Sequence, residues 1–496
     1  MTTPDWVQDA IFYQIFPDRF AKSTRSSSRN LPFESWDSPP TVYGFKGGDL
    51  FGITEHLDYL KDLGITALYL NPIFASASNH RYHAYDYFTI DPLLGGNVAF
   101  LELLDQAHKN NIRIILDGVF NHASRGFWQF HHVLECGDGS PYRDWFFFDP
   151  DRLSHKKHWG AYPGPQEVRA LQHEDSLTAI GYRGWWNLPA LPKFNTNVPA
   201  VRAFLFDVAE YWIRLGIDGW RLDVPTEIDD DSFWQEFRQR VRAINPEAYI
   251  VGEIWHEAHR WLQGDQFDAI MNYDVTKPML GFFPGTHLNY RVLHQQSNYH
   301  GIQHVMDAHE FANHIDHNLG LYRRDITYVQ LNMLDSHDTP RFLSCASEDK
   351  DSLKLAWLFM FSYPGAPSVY YGDEIGLDGE HDPDCRKSFP WDENKWDRNL
   401  RSYVKQLISL RKQNPALRRG SFRRLWSADG TYAFSRSESG DTFVIALNAS
   451  ESPQEVAVIY EGDKVPGVVF GTATGLSLSN QRLSFKIPAR SGVMLK

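Results

Sequence analysis

Four stretches begin as apolar runs and end in groups that ionise: IRIILDGVFNH (112–122), GWRLDV (219–224), IVGEIW (250–255) and LNMLDSHD (331–338). Burying an ionisable side chain is expensive unless it is paired, ligates a metal or does chemistry. The ends supply Asp117 and His122, then Arg221 and Asp223, then Glu253, then His337 and Asp338. Three carboxylates brought to one place, Asp223, Glu253 and Asp338, suit cleavage of a glycosidic bond, which needs one carboxyl to give a proton and another to attack or to activate water. Arg221 lies two residues before Asp223, so on a strand both point to one face and the guanidinium favours the ionised carboxylate. Glu253 stands between Gly252 and the pair Ile254 and Trp255, apolar flanks that favour the protonated acid. Any one such end would equally serve a buried ion pair, a cap network or a divalent metal.

Positioning the four ends takes a scaffold that places strand termini together. Eight segments read as strands: 10–16, 65–71, 112–119, 217–224, 248–254, 269–275, 328–334 and 367–373. Amphipathic segments lie between them. In 197–216, Val201, Phe204, Leu205, Val208, Trp212 and Leu215 recur at helical spacing, and Gly216 stops the helix. Repeated strand–helix units predict an α/β fold, a parallel (β/α)8 TIM barrel whose active site sits at the C-terminal ends of its strands. From 121 to 195 no clean period appears and aromatics, Pro and Gly are frequent. That interval is too long for a plain loop, and it predicts a small inserted domain overhanging the mouth after the third strand. The barrel is thus expected over 1–120 and 196–420. After 420 the pattern alternates, with a hairpin turn at SESGD, which predicts an all-β sandwich over 421–496.

Composition narrows the ligand. The chain has 496 residues, and 49 Lys and Arg against 62 Asp and Glu give a net charge of −13, which disfavours a nucleic-acid partner. Aromatics make up 15% of the chain, with 16 Trp, more than a core needs and suited to stacking on sugar rings. No run approaches the ~20 apolar residues that span a bilayer, so no membrane partner is expected. The start, MTTPDWVQDA, carries no leader signature, and the expected location is the cytoplasm. Cys136, Cys345 and Cys385 are scattered without metal or disulfide spacing.

Taken together, DGVFNH, GWRLDV, GEIW and LDSHD, in this order, resemble the ordered motifs of the α-amylase superfamily, glycoside hydrolase family 13. The stretches GFKGGDLFGI (44–53), LPKFN (191–195) and GDEIG (372–376) extend the resemblance over nearly the whole chain. It implies that Asp223 forms a covalent glycosyl-enzyme, that Glu253 protonates the leaving oxygen and then activates water, and that Asp338 hydrogen-bonds the distorted sugar. Retention of configuration would follow. Arg221, His122 and His337 match residues that orient the nucleophile or bind sugar hydroxyls, Tyr82 matches a stacking tyrosine with His80 beside it, and Asp117 matches a supporting aspartate. Trp185, Trp186 and Trp255 are expected near sugar rings. Asp49 and Asp373 read as structural.

LPKFN and SPYRDWF look closer to the neopullulanase, cyclomaltodextrinase and maltogenic amylase group than to the secreted α-amylases. Relatives of that group carry an N-terminal β-domain that builds a dimer and covers the cleft. Here the first strand begins by about residue 10, so no such domain is expected, and a more open mouth would admit α-1,6 as well as α-1,4 bonds, as in a debranching relative from photosynthetic bacteria. The expected substrates are malto-oligosaccharides, pullulan, cyclodextrins or branched glucans, and a homodimer is compatible with the resemblance. No cofactor is required. Calcium occurs in the family, but AKSTRSSSRN after Asp18-Arg19-Phe20 holds no carboxylate, and Glu227 stands where secreted amylases have a histidine. Three other readings compete: a glucanotransferase using the same covalent intermediate, a non-catalytic relative that partners a membrane protein, and a metal hydrolase built on His80, His122, His337 and Asp338. The second would lack a carboxylate and carry an anchor. The third lacks a metal-binding spacing.

Overall fold

Runs rich in β-branched and aromatic residues form strands that can be buried on both faces, as a closed parallel sheet requires. In the computed structural model, which describes residues 3–25, 30–155 and 160–496, eight such strands occur: β1 (Phe12–Ile15), β2 (Ala67–Leu70), β3 (Arg113–Gly118), β4 (Gly219–Leu222), β5 (Tyr249–Gly252), β6 (Ala269–Ile270), β7 (Leu331–Met333) and β8 (Ala366–Tyr370). All neighbours pair in parallel in the order β6-β5-β4-β3-β2-β1-β8-β7, and a parallel bridge between Met271 and Leu331 joins the two edges. The sheet is therefore a (β/α)8 barrel, as the alternation predicts.

Each strand is shorter than its apolar run suggests, because residues at one or both ends leave the ladder, those at the C-terminal end facing the mouth. The expected 217–224 becomes Gly219–Leu222, with Asp223 just beyond it. Inside the barrel every second residue points inward, and Phe12, Tyr69, Ile115, Tyr249, Val251, Met271 and Leu331 form one closed cluster. Register then sets the chemistry. Asp117 pairs with Arg221 and Arg221 with Val251, so two residues further on Asp223 and Glu253 share a level and the inward face. Gly219 is required on this face, since a Cβ there would meet the Tyr249 carbonyl at 2.1 Å.

The helix after the insertion, Pro199–Leu215, buries Val201, Leu205, Val208 and Trp212 against the sheet, and Gly216 ends it at φ 113°, open only to a residue without Cβ. Between β3 and this helix, short helices at Trp128–Cys136, Pro150–His155, Pro165–Ala170 and Ser176–Ile180 are tied by isolated bridges, His122 to Lys193 and Gly184 to Pro192 among them. Phe127, Phe130, Phe146, Tyr182 and Phe194 pack there mostly edge-on, with Phe146 stacked on Phe194, and reach Phe204 of the following helix. After residue 420 come β9 (Ser421–Ala428), β10 (Thr431–Glu438), β11 (Asp441–Asn448), β12 (Gln454–Ile459), β13 (Val468–Gly471), β14 (Thr474–Ser479), β15 (Arg482–Ile487) and β16 (Ser491–Leu495), in a five-stranded and a three-stranded antiparallel sheet. Ser439 (φ 50°) and Gly440 (φ 90°) make the two-residue hairpin turn between β10 and β11. Among the described residues no helix is long and apolar enough to cross a membrane.

Candidate active site

A cleft of about 720 Å³ opens at the C-terminal ends of the strands. Asp223, Glu253 and Asp338 line it, with His80, Tyr82, Trp185, Trp186 and Trp255. Arg221, His122 and His337 are fully buried behind that wall.

One guanidinium organises the floor. Arg221 Nη1 donates to Asp117 Oδ1 at 2.8 Å and to Asp223 Oδ1 at 3.0 Å, while Nη2 lies 3.0 Å from Glu253 Oε2. The arginine expected to serve Asp223 alone is thus shared by three carboxyls. Burial pushes the Asp223 carboxyl well above the ordinary range; Arg221 opposes this, and Glu253, Asp117 and Asp338 add to the rise. Asp223 Oδ2 has no hydrogen-bond partner.

Glu253 is not in the apolar setting its sequence neighbours suggest. Trp255 Nε1 donates to its Oε1 at 2.9 Å, and the Val224 amide donates to Oε2 at 3.1 Å. Because the strand ends at Gly252, the chain turns there and folds the Trp255 indole back over the carboxylate. Trp255 itself lies flat on Tyr273, with ring centroids 3.6 Å apart and an interplanar angle of 9°. Asp338 sits near Arg386 (3.5 Å) and His337 Nε2 (3.1 Å). Burial first, then Glu253, raises its carboxyl to about 7. Its side chain keeps 29% exposure, so solvent blunts that rise.

The histidines are held neutral. Burial lowers His337 and His80 well below the usual imidazole value and His122 to about 3. Gln14 Nε2 donates to His337 Nδ1 at 2.9 Å, which assigns the proton to Nε2. From there a chain runs through Tyr82 OH, 2.6 Å from Nε2, to Asp117 Oδ2 at 2.8 Å. Tyr82 also stacks on His337 at 5.5 Å. His80 accepts the Tyr82 amide on Nδ1 at 3.2 Å. His122 stacks on Trp185 at 4.9 Å and leaves Nε2 unpartnered.

Arg386, Asp382, His381, Gln295 and Gln296 also line the cleft. Sequence reading misses all five. They lie on irregular segments after β6 and β8, where no periodicity or motif marks them. Asp49 caps the helix Leu50–Glu55, accepting the Gly52 amide at 2.7 Å, and Asp373 pairs with Arg341 at 2.6 Å, both structural roles.

Among the described residues no group of three His, Cys, Asp or Glu is placed to hold a metal ion. The Asp18 carboxylate is taken by Arg19 Nε at 2.6 Å and by the Lys46 and Gly47 amides, and Ser26–Arg29 of the stretch after it lie outside the described residues. Asn121 Oδ1 is an orphaned oxygen, but a single oxygen falls short of the six or more that calcium takes.

Comparison with known proteins agrees with this geometry. Residues 14–439 match the model of the alpha amylase catalytic domain. The chain is 43% identical over 450 residues to a cyclomaltodextrinase from Bacillus sp, covering 90% of this chain and 73% of the relative. It is 41% identical over 460 residues to neopullulanase 2 of Thermoactinomyces vulgaris, covering 92% and 72%. A crystal structure of the debranching enzyme from Nostoc punctiforme superposes with a TM-score of 0.89 at 44% identity, over 100% of this chain and 99% of that one. With a barrel, an ordered set of strand-end carboxyls and these relatives in agreement, the chain belongs to the alpha-amylase family and is a glycoside hydrolase.

Proposed function

We propose that the protein is a retaining hydrolase of α-glucans that cleaves α-1,4 and α-1,6 glucosidic bonds in malto-oligosaccharides, pullulan, cyclodextrins and branched chains. One observation carries this reading: Asp223, Glu253 and Asp338 line a single cleft, and one buried guanidinium bridges the first two. A shared guanidinium favours the closer carboxyl spacing, roughly 5–5.5 Å, that goes with a covalent intermediate. In this reading the Asp223–Glu253 pair holds one proton, and the step runs when that proton sits on Glu253: Asp223 then attacks the anomeric carbon as the carboxylate while Glu253 gives the proton to the leaving oxygen. Glu253 then takes a proton from the water that releases the sugar. Asp338 accepts hydroxyls of the reacting sugar, with Arg386 and the neutral His337 fixing its direction. Tyr82, His80 and the indoles of Trp185, Trp186 and Trp255 supply ring faces and edges for the sugars on either side.

The debranching enzyme and neopullulanase among the relatives support both bond types for this chain. Pullulan tests them together. Panose reports α-1,4 cleavage and maltotriose reports α-1,6 cleavage, and Asp223→Asn should release neither. A wild-type enzyme that leaves pullulan, maltoheptaose and a branched malto-oligosaccharide intact would overturn the hydrolase reading.

A further inference from the structure

Behind the indole pair lies a second cavity. Its volume is about 470 Å³, within the range of small-ligand sites, and it shares Trp185, Trp186 and Glu227 with the main cleft. Its far side is formed by Asp175, Ser176 and Arg183, which do not touch the main cleft. Trp185 and Trp186 stack at 4.5 Å and line both spaces.

The pair is built at a cost. Trp186 (φ 51°) and Asn187 (φ 59°) are consecutive non-glycine residues in the left-handed region, a strained arrangement that persists only where the surroundings enforce it. Here they do. Asn187 Oδ1 accepts the Ser176 amide at 3.0 Å, and Ser176 Oγ accepts the Gly184 amide at 2.8 Å. The result is a Trp186 ring 75% exposed on a pinned turn. Trp185 Nε1 is buried and has no hydrogen-bond partner. At the base, Lys193 Nζ donates to the Glu227 carbonyl at 2.8 Å and lies 3.2 Å from its carboxylate, which ties the insertion to the barrel.

We propose that this second cavity receives one arm of a branched α-glucan, so that a forked chain straddles the Trp185–Trp186 pair with its other arm in the catalytic cleft. The inference rests on the α-glucan reading above and adds a binding site to it. An aromatic wall with a guanidinium and a carboxylate opposite is the chemistry that holds a glucosyl ring, by face contact and by bonds to its hydroxyls. Continuity with the cleft selects a branch over a separate ligand.

The test compares kcat/KM on maltoheptaose with that on maltoheptaose bearing an α-1,6-linked maltosyl branch. Arg183→Ala should lower the branched value about five- to tenfold while maltoheptaose changes less than about twofold, and Trp186→Ala should lower the branched value further, with Trp186→Phe restoring most of it. Circular dichroism and melting of each variant establish that the fold is kept; Arg183 is exposed, with its guanidinium over the Phe147 ring, so its variant is the safer one. If Arg183→Ala lowers both substrates together, or neither, the second arm is wrong and the hydrolase reading stands; Trp186 also lines the main cleft, so its variant is read only by the further fall on the branched substrate. If the wild type cleaves neither substrate, the hydrolase reading itself fails.

Discussion

At two of the places where this molecule buries arginine completely, the charge is met in opposite ways. At the mouth, Arg221 faces Asp117, Asp223 and Glu253. At the junction of barrel and sandwich, Arg436 meets main-chain carbonyls of Ser362, Leu417, Arg418 and Gly420, and Arg411 meets those of Phe361, Tyr363, Gly365 and Leu417. Carbonyls cannot titrate, so the junction is fixed at every pH at which the arginine keeps its proton. Burial beside other cations lowers Arg411, and burial brings Arg436 down to about 10, still charged at neutrality. The mouth has more carboxyls than cations, so its protonation is unsettled and its oxygens are left short of partners. Acid–base work needs that kind of frustration, and a structural joint must avoid it.

The largest expected effect falls on the unpartnered oxygen. Asp223→Asn should reduce kcat at least about a thousandfold while leaving the melting temperature unchanged or higher. Full activity in that variant would remove the nucleophile from the scheme. Next comes the arginine pair itself. Arg221→Met should cost about 3–5 kcal/mol, because it strands buried carboxylates, and the loss should shrink as pH falls from 8 to 5 and those groups take up protons. Arg436→Met should cost about 1–3 kcal/mol through unsatisfied carbonyls, with the same loss at pH 5 and 8 and with kcat/KM retained. Urea unfolding at both pH values separates the two, and a flat profile for Arg221→Met would erase the contrast.

A smaller effect tests the raised Asp338 carboxyl, about 7 in the fold against about 3.9 when unfolded. Between these values the folded state binds the extra proton, so stability falls as pH rises through the window and stays low above it. Asp338→Asn should therefore gain about 1–2 kcal/mol at pH 8, with the gain gone by about pH 4, and should lose most activity. An unfolding curve unchanged at pH 8 would show that Asp338 carries no such penalty. The smallest is Trp255→Phe, which keeps the stacking on Tyr273 but removes the indole donor to Glu253. A drop of about tenfold in kcat with KM nearly constant is expected from steady-state kinetics.

The fold was legible because strands and helices announce themselves through local period. All eight barrel strands coincide with short β-branched or apolar runs, Gly216 ends its helix as a glycine there must, and SESGD turns between β10 and β11. The strand-end groups were legible for the same reason, since Asp117, Arg221, Asp223 and Glu253 belong to runs whose alternation fixes their face. Arg386, Asp382 and Gln295 were not, because irregular segments carry no period and their place depends on where a closed barrel delivers them. The polar partners of Glu253 could not be seen from its sequence neighbours, since Arg221 and the Val224 amide reach it from β4 and the turn after it.

By itself, then, the chain's order of residues determined the alternation of strand and helix, the inward face of each strand and which ionisable groups end it, all consequences of backbone geometry within a few residues. Only the tertiary structure decided that one guanidinium serves three carboxyls, that Trp255 folds back on Glu253, and that two indoles line both spaces at the mouth. Those facts depend on register between strands and on loops meeting across a closed barrel. Hydrogen bonds and charge act over a few ångströms in space, whatever the separation along the chain.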